Sequence, residues 1–254
     1  MQRNLTIDVG NTSVKAAIYE DGRLVESGRK GMEGAFALVD KHHPGQCAYS
    51  VVGEEPPMLS DLLRQIPGRI LHVDGYTPAP IRNAYHQPET LGADRWAAAV
   101  GAWTLYGPRN LLVVDSGTCI TYDFVDGEGT FQGGIIAPGV RMRLDAMHQM
   151  THLLPAVEAG ECHTFPSPHR RMTTQAMEVG ARLGAAMELK GYIRYYTEEY
   201  DNLLVCLTGG ERIDYYDKND TNFCYVPDLV FQGLNALLNY EPSETAKSEG
   251  AQES

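Results

Sequence analysis

The sequence has no long apolar run. Residues 1–20 mix polar Asn4 and Asp8 with short apolar stretches, so neither a signal-peptide core nor a bilayer-spanning segment is expected. Concentrated positive charge is also missing. The 21 Lys and Arg are scattered along 254 residues and the formal net charge is -12, which excludes the basic surface that nucleic-acid backbones require. The expectation is therefore a cytoplasmic protein with no nucleic-acid partner and no membrane association. Five cysteines, Cys47, Cys119, Cys162, Cys206 and Cys224, form no CxxC pair. An odd, scattered set suits reduced thiols rather than a disulfide framework. Cys162, His163 and His169 lack a second spaced pair of ligands, so a structural metal centre there is not expected. Two phosphate-binding signatures are absent as well: no GxxxxGK[ST] occurs, and no GxGxxG opens a helix after a strand.

What is present is 43% hydrophobic content, enough to build one large domain or two modest ones. The apolar run from Asn4 ends at Asp8, followed by the turn residues Val9-Gly10-Asn11-Thr12 and a β-rich stretch from Ser13 to Glu20. Asp21-Gly22 is a further turn signal, and Arg23 to Arg29 returns as a third strand. The same pattern recurs near Asn110. Leu111 to Val114 runs into Asp115, then Ser116-Gly117-Thr118, then a strand through Val125 with Asp126-Gly127 as its turn. This is a repeat at domain scale. Helical periodicity is expected over Met58–Ile66, Arg95–Tyr106, Val140–Leu154, Thr173–Tyr200 and Asp228–Tyr240, with strands at Arg69–Val73 and Leu203–Leu207. The fold class is α/β in two halves, residues 1–109 and 110–240. The tail 241–254 has almost no apolar anchor and is expected to be disordered.

Two hairpin turns that present backbone N–H groups, each preceded by an aspartate, make a clamp suited to a polyphosphate. Aspartates at strand ends supply hard oxygen ligands for Mg²⁺, and Lys15 adds a point charge. Each turn read alone is also compatible with an ordinary hairpin. Thr208-Gly209-Gly210 follows an apolar strand, where glycines let a ligand approach the backbone closely. The segment Gly92-Ala93-Asp94-Arg95 places an aspartate and an arginine at a helix start. Asp94 there suits a helix N-cap, a general base beside an anion-binding guanidinium, or both. Gly180, Ala181, Gly184 and Ala185 form a small-residue face on the long helix, compatible with core packing or with a second subunit.

These residues resemble one family over essentially the whole chain to about Tyr240: the type III pantothenate kinases of the acetate and sugar kinase, chaperone and actin superfamily. The resemblance rests on Asp8-Val9-Gly10-Asn11-Thr12 with Lys15, Tyr85 with Gly92 to Arg95, Asp115 to Thr118, Gly133 to Gly139, and Thr208-Gly209-Gly210. It implies duplicated actin-like (ribonuclease H-like) domains, each with a mixed sheet flanked by helices. It further implies ATP-dependent phosphorylation of pantothenate to 4′-phosphopantothenate, the first step toward coenzyme A.

Carried over residue by residue, Asp8, Val9, Gly10, Asn11, Thr12, Ser13, Val14, Lys15 and Thr118 would hold ATP. Asp94 would accept the proton of the attacking hydroxyl. Tyr85, Gly92, Ala93, Asp94, Arg95 and Thr173 would bind pantothenate, with Thr174 the adjacent alternative to Thr173. Asp115 would ligate a monovalent cation, K⁺ or NH₄⁺, with Mg²⁺ accompanying the nucleotide, and a homodimer is implied. Ser116 and Glu211 depart from the family pattern, where a bulkier residue and an aspartate are common. A sugar, acetate or polyphosphate kinase is disfavoured by the Gly92–Arg95 segment. A regulatory, non-enzymatic role is disfavoured by Asp94 and by the lack of a basic face.

Overall fold

The computed structural model describes residues 1–28, 31–160, 169–211 and 222–242. Cys162, His163 and the tail beyond residue 242 lie outside the described residues. The chain divides into two compact units. Met1–Pro108, Val125–Gly133 and the chain from Asp228 on make the first, and Arg109–Phe124 with Gly134–Pro227 make the second.

In the first unit, strands β1 (Arg3–Val9), β2 (Val14–Glu20) and β3 (Arg23–Gly28) form consecutive hairpins. Asp21 and Gly22 take φ of 46° and 80° between β2 and β3. Two successive left-handed residues match the turn to the twist of the flanking strands, which is why Asp-Gly works there. Helix α1 (Gly31–His42), strand β4 (Gln46–Val51), helix α2 (Leu59–Leu63), strands β5 (Ile70–His72) and β6 (Arg82–Asn83), and helix α3 (Ala93–Tyr106) follow. The sheet order is β3-β2-β1-β4-β5, with β1 parallel to β4 and β4 parallel to β5. Central β1 is buried from Asn4 to Val9. Leu5, Ile7 and Val9 pack with Ile18, Leu38, Leu59 and Leu62, as expected of a strand covered on its faces.

The second unit holds β7 (Leu111–Ser116), β8 (Cys119–Val125), β9 (Thr130–Pro138), α4 (Val140–Gln149), α5 (Thr173–Glu199), β10 (Leu204–Gly209) and β11 (Phe223–Tyr225). Its strands run in the order β9-β8-β7-β10-β11, with β10 parallel to both β7 and β11. That is the arrangement of the first sheet again, so the repeat legible in the turns is a repeat of topology. Leu112, Val114, Ile120, Tyr122, Val140, Leu144, Met177, Ala181, Ala185, Val205 and Leu207 form its core. Helix α4 stops at Gln149, short of the expected Leu154. The Thr151 hydroxyl donates to the Met147 carbonyl and closes the last turn, an alternative partner that competes with continued helix.

Two segments from the second half of the sequence belong to the first unit, for reasons visible in their packing. Residues Thr130 and Phe131 at the start of β9 pair with Arg82 and Asn83 of β6, and the Phe131 ring meets Trp96 edge-on at 5.6 Å. Helix α6 (Leu229–Asn239) crosses α3 at two glycines. A Cβ on Gly101 would lie 2.9 Å from the Gly233 nitrogen, and one on Gly233 would collide with the Ala97 carbonyl. Glycine is needed at both positions because backbone meets backbone. Among the described residues no helix is long and apolar enough to cross a membrane.

Gly233→Ala is expected to destabilise the chain by about 1–3 kcal/mol, the usual range for overpacking. Thermal and urea unfolding would register this, and a wild-type midpoint for the variant would refute the close crossing.

Candidate active site

In the first unit, β1 carries Asp8 to its C-terminal end while its neighbours stay buried. The pairing fixes what Asp8 meets. Parallel β4 sets Ser50 opposite it and antiparallel β2 sets Lys15 opposite it. Ser50 Oγ donates to Asp8 Oδ1 at 3.1 Å, and Lys15 Nζ stands 4.0 Å from Asp8 Oδ2. Burial raises the Asp8 pKa, Lys15 and the Ser50 hydroxyl oppose the rise, and the charge of Asp94 adds to it. The turn after β1 is closed by Gly10 N–H donating to the Ser13 carbonyl at 3.1 Å. Gly53 backs this turn closely, since a Cβ there would sit 3.2 Å from the Asn11 Cα. Asn11 and Thr12 are exposed on it.

Asp94 is the second residue of α3, and Gly92 rather than Asp94 occupies the N-cap position. Its Oδ1 accepts from the Arg95 N–H at 2.8 Å. Burial raises the Asp94 pKa, opposed by hydrogen bonds from the Arg95 and Asp94 N–H groups and by the charges of Arg95 and Lys15. The helix terminus also favours the ionised form. A Cβ at Gly92 would fall 2.6 Å from Asp94 Oδ1, so the glycine leaves the carboxylate its place. Arg95 is buried at 6% exposure, with its guanidinium carbon 5.8 Å from the Tyr85 ring centre. Tyr85 is anchored through its N–H, which donates to Asn83 Oδ1 at 3.0 Å. The sequence-predicted residues Asp8 to Lys15, Tyr85 and Gly92 to Arg95 thus all lie in one unit. Asp8, Lys15 and Asp94 there form one electrostatically linked cluster of two carboxylates and an ammonium.

The second unit assembles Asp115, Thr118 and Gly209 in the same way. The turn Ser116–Thr118 is closed by Gly117 N–H donating to the Cys119 carbonyl at 2.9 Å, and Gly139 N–H donates to the Thr118 carbonyl at 3.0 Å. A Cβ at Gly139 would collide with the Gly117 carbonyl and lie 2.6 Å from that of Thr118. The turn therefore rests against the start of α4, where the helix dipole favours anions. Gly209 takes φ of 99°. A Cβ there would overlap the Ser116 carbonyl and approach Asp115 Oδ1 to 2.6 Å. Thr173 is the exposed first residue of α5 in this unit.

Sequence reasoning missed Ser50, whose position opposite Asp8 only the register of β4 supplies. It also missed the support under Pro138-Gly139. Arg143 Nε donates to the Pro138 carbonyl at 2.7 Å while its Nη2 donates to both Glu188 oxygens at 2.9 Å. Glu211 was seen only as a departure from a pattern. It is half-buried and its pKa is raised by that burial, against the pull of Arg182 and a hydrogen bond from the Val140 N–H at the head of α4.

A comparison of the whole chain with known families matches residues 4–195 to the family model described as type III pantothenate kinase. The chain belongs to the type III pantothenate kinase family. A type III pantothenate kinase of Bacteroides fragilis is 37% identical over 240 residues, covering 93% of this chain and 98% of its own. Among solved structures, a Campylobacter jejuni protein assigned to the Baf family of transcriptional activators superposes with a TM-score of 0.54 at 20% identity. It covers 92% of this chain and 96% of its own. The activator of the 2-hydroxyisocaproyl-CoA dehydratase from Clostridium difficile, solved with ADPNP, superposes with a TM-score of 0.51 at 13% identity, over 100% of this chain and 98% of its own. Likeness at that identity establishes the actin-like fold shared with this type III pantothenate kinase family member.

The raised Asp94 pKa carries a stability consequence. A carboxyl that binds its proton more tightly folded than unfolded lowers stability as pH rises from its unfolded value through its folded one. Asp94→Asn is therefore expected to melt at or above the parent temperature at about pH 8, with the difference shrinking as pH falls through the raised folded pKa toward the ordinary 3.8. A variant markedly less stable at the higher pH would overturn the desolvation account.

Proposed function

We propose that this chain transfers the γ-phosphoryl group of ATP to the hydroxyl of pantothenate, giving 4′-phosphopantothenate, as a cytoplasmic homodimer with Asp94 as general base. The observation that carries the reading is the half-buried Asp94 carboxylate in the first turn of α3, electrostatically linked to Asp8 and Lys15. Phosphoryl transfer asks for in-line positioning and charge neutralisation rather than covalent chemistry. A base is effective when its pKa lies nearer the working pH than that of an ordinary carboxylate, and burial moves Asp94 in that direction.

In this reading Asp8, the turn Val9 to Ser13, Val14, Lys15 and Thr118 hold the nucleotide phosphates. Tyr85, Gly92, Ala93 and Arg95 hold pantothenate with Thr173. Arg95 is suited to a carboxylate because its planar fork is always charged, and the Tyr85 ring beside it limits its orientations. Asp115 is the proposed ligand of K⁺ or NH₄⁺. The donor set fits a hard cation, since Asp115 Oδ1 lies in the cradle that Gly209 leaves open and the buried Ser116 hydroxyl has no hydrogen-bond partner among the described residues. Mg²⁺ carried in with the nucleotide would neutralise phosphate charge.

The homodimer is supported by one face of α5. Gly180, Gly184, Met187, Gly191 and Tyr195 recur at helical spacing. A Cβ at Gly180 or Gly191 would meet nothing within 4 Å, and Met187 and Tyr195 are 52% and 59% exposed. Nothing among the described residues accounts for glycine at Gly180 or Gly191, whereas a second helix laid against them would. Gly180→Arg is expected to sediment as a monomer, and a dimer that survives it would remove this face from the interface.

The deciding experiment is coupled ADP release with Mg-ATP and K⁺, comparing pantothenate with sugars and acetate. Pantothenate-dependent release is expected, falling by about 10²- to 10⁴-fold in Asp94→Asn, the range for loss of a general base. Its acid limb should have a midpoint above the 3.8 of an ordinary aspartate. Release that ignores pantothenate under every cation would defeat the assignment.

A further inference from the structure

Cys206 and Cys224 are direct register partners on adjacent parallel strands β10 and β11. Their sulfurs are 3.3 Å apart. Neighbouring strands lie about 4.7–4.9 Å apart, within the Cα separation of about 4.4–6.8 Å that a disulfide spans. The pair is therefore close enough to be bridged once β11 shifts slightly against β10. The other described cysteines offer no such arrangement. Cys47 is buried in the core of the first unit, where its thiol is pushed up to about 12, and Cys119 has no sulfur partner among the described residues.

The two sulfurs differ in access. Cys206 is fully buried while Cys224 is half-buried. The hydrogen bond shared with Cys224, together with burial, also pushes the Cys206 thiol up. Cys224 is thus the sulfur that meets an oxidant, and Cys206 the one that resolves it.

The pair sits behind the glycine loop of the second unit. Cys206 precedes Thr208 by two residues, and Tyr225, next to Cys224, donates its hydroxyl to the Gly209 carbonyl at 3.3 Å. Gly209 in turn lies closely against Ser116 and Asp115, too closely for a Cβ to fit between them. A bond that draws β11 onto β10 must bring the sulfurs from 3.3 Å to about 2.05 Å. That shift reaches Gly209 through Tyr225.

We propose that Cys206 and Cys224 are a peroxide-sensitive dithiol whose reversible closure displaces the Thr208–Gly210 loop. The Cys224 sulfur attacks one peroxide oxygen and the O–O bond breaks, leaving a sulfenic acid and one water. The Cys206 sulfur then attacks the Cys224 sulfur, the S–O bond breaks, and the hydroxyl leaves with the Cys206 proton as a second water. Two thiols are oxidised, one peroxide is reduced to two waters, and an added dithiol reverses the bond by exchange. The functional consequence rests on the proposed nucleotide-binding role of the Asp115–Thr118 turn, against which Gly209 lies, while the chemistry does not.

The test treats the full chain with hydrogen peroxide, blocks remaining thiols, and maps cross-linked peptides by mass spectrometry under non-reducing conditions. A Cys206–Cys224 peptide lighter by two hydrogens is expected, lost on adding dithiothreitol and absent from Cys224→Ser. ATP binding by calorimetry, measured beside ADP release, is expected to weaken by roughly tenfold to a hundredfold in the oxidised chain, the scale of a small misplacement at a site. It should recover on reduction and stay unchanged in Cys224→Ser, which keeps basal activity. Peroxide that leaves both thiols reduced, or links either to another cysteine, overturns the dithiol. A mapped bond with ATP affinity unaltered overturns its coupling to the loop. A reduced chain that binds no ATP instead defeats the nucleotide reading and leaves the peptide map to judge the dithiol.

Discussion

The Asp8 carboxylate is carried into the interior by a strand buried on both sides of it, and the polar groups around the end of β1 are arranged about that charge. A buried carboxylate is unfavourable unless hydrogen-bonded or paired. Ser50 satisfies one oxygen and Lys15 stands near the other, each delivered by a neighbouring strand in register. The same burial brings Asp94 within electrostatic reach, so each acid there is harder to ionise than it would be in water. A slip of one residue in the β1–β4 pairing would turn Ser50 to the other face of the sheet. The chemistry of the cluster therefore depends on strand register before it depends on any side chain.

The second unit meets a related requirement with backbone instead of charge. Its turn at Ser116–Thr118 is enclosed by Gly139 on one side and Gly209 on the other, both so close that a methyl group would not fit. What remains is an array of peptide groups beside a helix start, suited to anions. Support comes from behind, through the Arg143–Glu188 pair that holds Pro138 and the Tyr225 hydroxyl that holds Gly209. Glycine is the necessary residue there because the constraint is space, and at Gly209 also because φ is positive.

Several features were legible in the residues themselves. Asp21-Gly22 announced its turn because few other pairs tolerate successive positive φ. The run Leu111–Val114 announced a buried strand through unbroken apolarity. The twofold recurrence of strand, aspartate and glycine turn pointed to duplication, and five strands of each sheet do share one order, with β6 added beyond β9 in the second. Helix limits were less legible. Val140–Gln149 ends where a threonine hydroxyl captures a carbonyl, and α3 begins at Ala93 because Gly92 takes the cap. Such choices are made by single hydrogen bonds that periodicity does not register.

By itself the sequence determined the element types, the duplicated turns and the chemical groups available to the site, because propensity, turn chemistry and motif are local properties. Family membership followed from the same residues. Only the tertiary structure decided which groups meet. Ser50 joins Asp8, Arg143 braces Pro138, Cys206 faces Cys224, and α6 returns to α3 across a glycine contact. Apart from Arg143 and Pro138, which are five residues apart, these partners are separated by tens to more than a hundred residues or belong to different strands, and strand register and backbone clearance are properties of the folded chain alone.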